Sequence, residues 1–219
     1  MHKLDNLYAG LPIFIISTGT SLRGFDFRRL DGTITIGINR VIEYYHPSIV
    51  HFVDITAHVT HAEALRGYNG MILAGPGAAP ARTHDNIFEI ARNIDTFELS
   101  GTMTALTKKV GRSFSDGWYG GGAGCTALHA AILLGGNPIY LLGYDYYEDN
   151  GTHFDEYDPS RNDPRLYDVS FRGIEHIGRE EWIPEIYNCN PRSRIRCFPF
   201  ADIGEVLRGG AGAPREKSA

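Results

Sequence analysis

The chain has 219 residues, a formal net charge of −5, and 42% hydrophobic against 21% charged residues. This balance is typical of a globular protein and argues against one built mainly to coat nucleic acid, which would carry an excess of basic residues. No apolar run reaches the ~18–20 residues that a membrane-spanning helix requires. The opening sequence MHKLDNLYAG lacks the apolar core of a signal peptide, so we expect a cytoplasmic location.

Short apolar runs rich in Ile, Val and Phe recur along the chain. They lie at 13–17, 34–38, 49–53, 70–75, 138–143 and 195–200. Such continuous runs predict strands buried on both faces, as in a parallel sheet covered by helices. Helices are predicted between them, at 57–66, 83–93, 122–134, 180–188 and 202–208. This alternation predicts one α/β domain over residues 1–208, Rossmann-like and doubly wound, with a mainly parallel sheet and helices on both faces.

The segment 144–178 interrupts this alternation, because it is aromatic and acidic with little periodicity. A loop this long inside a compact domain is usually functional. Its tyrosines argue against disorder, since disordered segments are poor in aromatic residues. We therefore predict a lid over 144–178. Residues 209–219, made of Gly, Ala, Pro and charged residues, are predicted to form a flexible tail.

The loops that follow the predicted strands are the candidate binding site, because open α/β sheets bind ligands beyond the carboxyl ends of their strands. After the first strand, Gly19 lets the backbone approach a ligand, and Thr20 or Ser21 can cap a short helix whose N–H groups face an anion. A plain capped turn explains these residues equally well. Asn39 and Asp54 end the next two strands. Asn39 offers a donor and an acceptor to a ligand, or it forms an Asx turn. Asp54 is suited to binding a ribose hydroxyl or a metal.

A glycine run, 120–122 and 124, precedes the apolar part of the predicted helix, residues 125–134. It allows the chain to pass beneath a ligand with a helix N-terminus aimed at it, or it merely packs that helix closely on the sheet. Within the predicted lid, Tyr146, Tyr147 and His153 are suited to donating hydrogen bonds to a charged leaving group. An acidic, solvated loop with local aromatic packing is the alternative.

Metal binding is not predicted for the chain. His58 and His61 are three residues apart on a predicted helix, but no further ligand accompanies them. The three cysteines are widely spaced, which indicates reduced thiols. The acidic residues from Asp145 to Asp158 suggest magnesium but lack the D-x-D-x-D-G spacing of an EF-hand loop.

Three blocks of the sequence, in this order, resemble a known family. IISTGTSLRGFDFRRL is similar to the N-terminal G-x-G/N-G-P-S-L motif of bacterial sialyltransferases that use CMP-sialic acid, and IGINR is similar to their second strand, which ends in Asn. GGGAGCTALHAAILLGGNPIYLLGYDYYEDNGTHF resembles their Thr-Ser-Gly helix, the next strand and a Gly-x-Asp-x-Tyr segment. The same fold family includes proteins related to archaeal hydroxymethylpterin diphosphokinase. The resemblance covers about residues 12–60 and 118–200.

The resemblance implies a set of nucleotide-binding residues: Gly19, Thr20, Ser21, Asn39, Asp54, Gly122, Ala123, Gly124 and Asp145. Residues 19–21 are expected on the phosphate side of the nucleotide, and Asn39 at phosphate or sugar. The loop 122–124 is expected to pass under the donor, although the Thr-Ser pair of the family is Gly-Ala in this chain, so two hydroxyl contacts are absent.

The resemblance also implies catalytic residues. Tyr147 matches a tyrosine that steadies the departing phosphate in the sialyltransferases. Their catalytic histidine follows an Ile-Gly pair, where this chain has Arg179, and arginine is always charged and cannot act as a base. We therefore expect His176 or His153 to deprotonate the acceptor, and Tyr147 and Arg179 to stabilise the charge of the leaving group.

Three functions stay open from the sequence. The favoured one is a glycosyltransferase that uses a nucleotide-sugar donor and a small-molecule or glycan acceptor, and that requires no cofactor. The second is a magnesium-dependent diphosphokinase that transfers pyrophosphate from ATP, with the carboxylates at 54, 145, 148 and 149 around the metal. The third is a nucleotide-binding module without catalysis. The sequence leaves homo-oligomerisation open.

Overall fold

The computed structural model describes residues 4–54, 57–75, 87–89, 109–146, 154 and 164–209. Seven strands form its sheet: β1 (Ile13–Ile16), β2 (Ile34–Ile38), β3 (Ile49–Phe52), β4 (Met71–Ala74), β5 (Ile87–Glu89), β6 (Ile139–Leu142) and β7 (Ile186–Asn188). All neighbouring strands are parallel, in the order β5-β4-β3-β2-β1-β6-β7. The predicted parallel α/β sheet is confirmed.

The strand order reverses between β1 and β6. The chain proceeds from β1 outwards to β5 on one side and then returns to place β6 and β7 on the other side. Ile13 is paired with Ile34 of β2 and with Ile139 of β6, so the three central strands begin at the same level. The carboxyl ends of β1 and β6 therefore form the topological switch point, where open α/β sheets bind their ligands.

Among the described residues, five α-helices accompany the sheet: α1 (Ala57–Thr60), α2 (Ala62–Leu65), α3 (Ala123–Leu133), α4 (Pro164–Ile177) and α5 (Ile203–Leu207). Ile13 and Ile15 of β1 belong to one apolar core, which includes residues of α3 and α4, whereas Phe14 and Ile16 belong to a core on the opposite face beside α5. Helices thus cover both faces. From Cys125 to Leu133 every residue of α3 is buried, because the helix packs between the sheet and α4.

Two predicted elements in the last part of the chain are wrong. The run 195–200 is not a strand; only Phe200 makes an isolated bridge to Asn188, and Pro199 has no N–H to donate to a ladder. The last strand is instead β7, which lies inside the predicted helix 180–188. A strand of three residues is too short to show the alternation that identifies strands in a sequence.

Other predicted segments differ in part. The predicted helix 57–66 is divided into α1 and α2. The predicted helix 83–93 is wrong at residues 87–89, which form β5 beside β4, because a run this short does not distinguish a strand from a helix; the rest of that range lies outside the described residues. The predicted lid 144–178 includes α4, which packs against α3. Residues 147–153 and 155–163 of that segment, and 210–219 of the predicted tail, lie outside the described residues. The domain boundary at 208 stays a prediction.

No helix among the described residues is both long enough and apolar enough to cross a membrane.

Candidate functional site

Polar loops from neighbouring strands meet at the switch point. Residues 19–21 follow β1, Asn39 follows β2, residues 143–146 follow β6, and residues 188–190 end β7. Because all strands are parallel, these loops lie at the same edge of the sheet. They meet beyond the ends of β1 and β6, where open α/β sheets form their ligand-binding crevice, and we call this region the switch-point crevice.

Gly19 holds the β1 loop against the β6 loop. Its N–H donates to the carbonyl oxygen of Gly143 at 3.0 Å. A Cβ atom at Gly19 would lie 2.3 Å from that oxygen and 2.6 Å from Cγ of Asp145, closer than real Cβ atoms come. Only glycine fits there. The reason for the glycine is therefore the packing of one loop on another, whereas the sequence analysis attributed it to the close approach of a ligand.

The carboxylate of Asp145 lies at the centre of the loops and is only 4% exposed. Its Oδ2 accepts from the N–H of Ser21 at 2.7 Å and from the hydroxyl of Thr20 at 3.3 Å. Its Oδ1 accepts from the hydroxyl of Ser21 at 2.5 Å and from Nδ2 of Asn190 at 2.7 Å. We call Asp145, Thr20, Ser21 and Asn190 the Asp145 cluster. The donors that the sequence analysis assigned to a phosphate are thus held by a carboxylate of the same chain.

The loop after β7 completes this wall of the crevice, and it was not predicted from the sequence. Oδ1 of Asn188 accepts from the N–H of Asn190, which orients Asn190 towards Asp145. The hydroxyl of Ser193 donates to the carbonyl oxygen of Tyr144 at 2.5 Å, and the N–H of Arg194 donates to that of Asp145 at 2.9 Å. The available sequence signal was a group of short polar residues, N-C-N-P-R-S, directly after an apolar run.

Asn39 and Asp54 lie at increasing distance from β1. Asn39 has a positive φ of 48°, which asparagine tolerates better than most residues. Its Oδ1 is buried and has no hydrogen-bond partner among the residues that the structure describes. Buried polar atoms are normally paired, so this acceptor is suited to a ligand. Asp54 is exposed and follows β3, two strands (about 10 Å) from β1, so the structure does not bring it to Asp145.

The first turn of α3 forms another wall of the crevice. Gly122 is its N-cap and makes no side-chain cap hydrogen bond. A Cβ at Gly124 would lie 2.5 Å from the hydroxyl of Tyr146, so that residue must be glycine for Tyr146 to lie there. The hydroxyls of Tyr146 and Ser170 are 2.7 Å apart. Burial raises the pKa of Tyr146, so its hydroxyl stays protonated and able to donate.

Phe154 belongs to the predicted lid and contacts the β1 loop. Its N–H donates to the carbonyl oxygen of Thr18 at 2.6 Å. Its ring packs against Phe27 and Tyr44, with centroid distances of 5.6 and 5.1 Å. Tyr147 and His153 lie outside the described residues, so their predicted roles stay predictions.

His176 lies in a different part of the molecule. Its Nδ1 is hydrogen-bonded to the hydroxyl of Tyr119, which is fully buried between the helices. The N–H of Tyr119 donates to Nδ1 of His129 at 2.8 Å, and Nε2 of His129 lies 2.9 Å from the carbonyl oxygen of Gly111. Burial lowers the pKa of His129 to about 4. We call Tyr119, His129 and His176 the Tyr119 cluster.

The Tyr119 cluster is separated from the crevice along α4. Ser170 contacts the first turn of α3, through the N–H of Cys125 at 3.3 Å. His176 comes six residues later, which is about 9 Å further along the helix. Arg179 is exposed and lies beyond the end of α4. The structure therefore does not bring His176 and Arg179 to the Asp145 cluster.

The opposite, amino ends of the central strands line an apolar cavity of about 650 Å³. Its lining includes Leu11 and Phe14 around the start of β1, Tyr140 of β6, and Leu207 of α5. Within the described ranges, no group of three His, Cys, Asp or Glu side chains is arranged to hold a metal ion.

Comparison with known proteins reveals one similar fold. No protein-family model matches the sequence, and no curated protein matches it. The sialyltransferase CstII from Campylobacter jejuni, in complex with a substrate analogue, cytidine-5'-monophosphate, is 14% identical over 85% of this chain and 82% of its own, with a TM-score of 0.50. A CST-II complex with a trisaccharide acceptor and CMP is 13% identical over 84% and 82%, with a TM-score of 0.47. A CstII complex with CMP-3FNeuAc is 14% identical over 84% and 83%, with a TM-score of 0.44.

At this level of identity the first of these structures shows the fold. The chain has a fold similar to that of a bacterial sialyltransferase, as the sequence resemblance implied. The diphosphokinase part of that resemblance has no support among the three structures.

Proposed function

We propose that this protein is a glycosyltransferase that binds a nucleotide-sugar donor in the switch-point crevice. The observation that carries the proposal is the convergence of polar loops at the switch point of a fold whose solved relative binds CMP. Asn39 supports it with an unpaired, buried acceptor at the edge of the crevice. By analogy with the sialyltransferase complexes, a CMP-sugar is the first donor to test and a glycan is the first acceptor to test.

The reaction requires one bond to break and one to form. The bond between the anomeric carbon of the sugar and the phosphate oxygen breaks, and the nucleotide leaves with the electron pair. A hydroxyl oxygen of the acceptor forms the new bond to the anomeric carbon, and its proton passes to a base. The protonated hydroxyl of Tyr146 and the positive end of α3 are suited to stabilising the charge that develops on the leaving phosphate.

The base must lie near the crevice. His153, the other base that the sequence predicts, directly precedes Phe154 in the chain, and the N–H of Phe154 donates to the carbonyl oxygen of Thr18 in the β1 loop. His176 is hydrogen-bonded to Tyr119 and lies about 9 Å along α4 from the residue that contacts the first turn of α3. We therefore favour His153 over His176 as the base and keep Tyr147 as a second donor to the leaving group.

A donor-release assay tests the proposal. CMP-, UDP- and GDP-sugars are incubated with the protein and a glycan acceptor, and release of the nucleotide is measured. We expect release from the CMP-sugar, and binding of CMP that weakens about tenfold in Asn39→Ala, because one buried hydrogen bond is lost. Asn6→Ala is the matched control, since Asn6 also has a positive φ (59°) but lies in the N-terminal segment. Binding of CMP without release from any donor would instead support a nucleotide-binding module, and no binding of any nucleotide would refute the proposal.

A further inference from the structure

The carboxylate of Asp145 has no acceptor capacity left for a ligand. A carboxylate has about four lone-pair sites, and four hydrogen bonds from its own chain reach Asp145. The side chain is also buried, with 4% of its surface exposed. Asp145 was among the residues expected to contact the nucleotide. Its surroundings indicate a different task.

The four donors come from two loops that are distant in the sequence. Thr20 and Ser21 belong to the loop after β1, and Asn190 belongs to the loop after β7, while Asp145 itself follows β6. The carbonyl oxygen of Asp145 also accepts from the N–H of Arg194. One residue thus joins the carboxyl ends of three strands on both sides of the switch point.

We infer that Asp145 is a positioning residue that fixes the three loops of the crevice, and that the donors of Ser21 are reserved for it. This inference rests on the proposed function, because it specifies how that crevice receives a nucleotide. A phosphate placed on the same donors would have to displace the carboxylate and would be repelled by its charge. The part of the ligand that lies against residues 19–21 is therefore a neutral part, such as a ribose, sugar or base, and the phosphate lies elsewhere in the crevice.

A comparison of CMP with cytidine tests where the phosphate lies. Cytidine lacks the phosphate, so a residue that contacts the phosphate affects CMP alone. Ser21→Ala keeps the hydrogen bond from the N–H of residue 21 to Asp145. We expect it to lower the affinity for CMP and the affinity for cytidine by the same factor, within about twofold. A loss of affinity for CMP of tenfold or more, with that for cytidine unchanged, would overturn the inference.

A rescue experiment tests the positioning role. Asp145→Asn places an amide N–H against Nδ2 of Asn190 or, in the flipped orientation, against the N–H of Ser21, donor against donor in both cases, and we expect at least a tenfold loss of affinity for both ligands. Combining it with Asn190→Asp restores a donor–acceptor pair and the net charge. We expect the double variant to bind both ligands within about threefold of the original protein, measured at a temperature well below the melting temperature of each variant. A double variant as weak as Asp145→Asn alone would overturn the inference.

Amide hydrogen exchange provides a test that needs no ligand. The N–H of Ser21 donates to Asp145. In the double variant of Asp145→Asn with Asn190→Asp, this amide should stay protected from exchange. In Asp145→Ala, its exchange should be at least tenfold faster. Asp26→Ala is the control, because the exposed carboxylate of Asp26 accepts from the N–H of Arg28 in the same segment, and only that amide should change. Unchanged exchange at Ser21 in Asp145→Ala would overturn the inference even if no nucleotide binds. If CMP and cytidine do not bind the original protein but the amide of Ser21 exchanges as expected in the variants, the proposed function is refuted and the inference about Asp145 stands.

Discussion

The Asp145 cluster and the Tyr119 cluster each have a buried polar residue at the centre, but they are built differently. The Asp145 cluster consists of a carboxylate and short polar residues from loops, and it lies at the carboxyl edge of the sheet. The Tyr119 cluster consists of aromatic and imidazole rings, and it lies within the helical layer formed by α3 and α4. The first shapes a crevice, and the second joins two helices. The chemical type of a buried polar residue therefore says less about its task than the place that the topology gives it.

Replacement of Gly19, which lies against the carboxyl group of Asp145, is expected to cause the largest loss of stability. Gly19→Ala places a methyl group 2.3 Å from a main-chain oxygen, and we expect the free energy of unfolding to fall by about 3 kcal/mol, the upper range for overpacking. The control is Gly24→Ala, where a Cβ meets open space and only the positive φ costs about 1 kcal/mol. Denaturation in urea measures both. Equal losses in the two variants would contradict the tight contact between the β1 and β6 loops.

The dependence of stability on pH tests the Tyr119 cluster. His129 is neutral in the folded protein with a pKa of about 4, against an ordinary value of 6.5, so the unfolded chain binds a proton more readily between these values. The stability that the neutral ring provides is complete above pH 6.5 and decreases as the pH falls towards 4. We expect the free energy of unfolding to decrease by about 2 kcal/mol from pH 7.5 to pH 5 on account of this group.

The physical cause of the lowered pKa of His129 is burial, which disfavours the charged ring; protonation would also set a donor against a donor. Nδ1 of His129 accepts from the N–H of Tyr119, and protonation of the ring would remove that acceptor. His129→Asn retains an oxygen acceptor that does not titrate, so its unfolding free energy should depend less on pH over the same range. Urea denaturation at the two pH values measures the difference. An equal pH dependence in both proteins would contradict the assignment.

The smallest effect is expected at His176. His176→Phe removes the hydrogen-bond partner of the buried Tyr119 hydroxyl, and we expect a loss of stability of about 1 kcal/mol with the affinity for CMP unchanged. Tyr119→Phe removes the same hydrogen bond and serves as the control. If His176→Phe abolishes nucleotide release and Tyr119→Phe does not, His176 is the base. That result would contradict the claim that the two clusters have different functions.

The sequence predicted the sheet well, because its central strands are continuous apolar runs with turn residues at both ends. It also placed residues 19–21 and Asn39 at strand ends, which the structure confirms. It misplaced the last strand, because β7 is three residues long and follows a stretch that also suits a helix. A short strand gains its stability from its neighbours in the sheet, which no local pattern reveals.

The contacts within the candidate site could not be predicted in the same way. Ser21 and Asp145 are 124 residues apart, and their hydrogen bonds depend on the reversal of strand order between β1 and β6. The resemblance assigned residues by motif and so expected His176 near the donor. Whether a histidine on a helix reaches a crevice depends on the turn in which it lies, and α4 carries His176 into its last turn.

Amide hydrogen exchange with and without CMP tests the central claim most directly, because it reports where a nucleotide binds without assuming the reaction. We expect CMP to slow exchange in residues 17–21, at Asn39 and in residues 143–146, and to leave the amides of Tyr119 and His176 unchanged. Protection around Leu11, Phe14 and Tyr140, which line the apolar cavity at the amino ends of the strands, or no protection anywhere, would contradict a nucleotide site in the switch-point crevice.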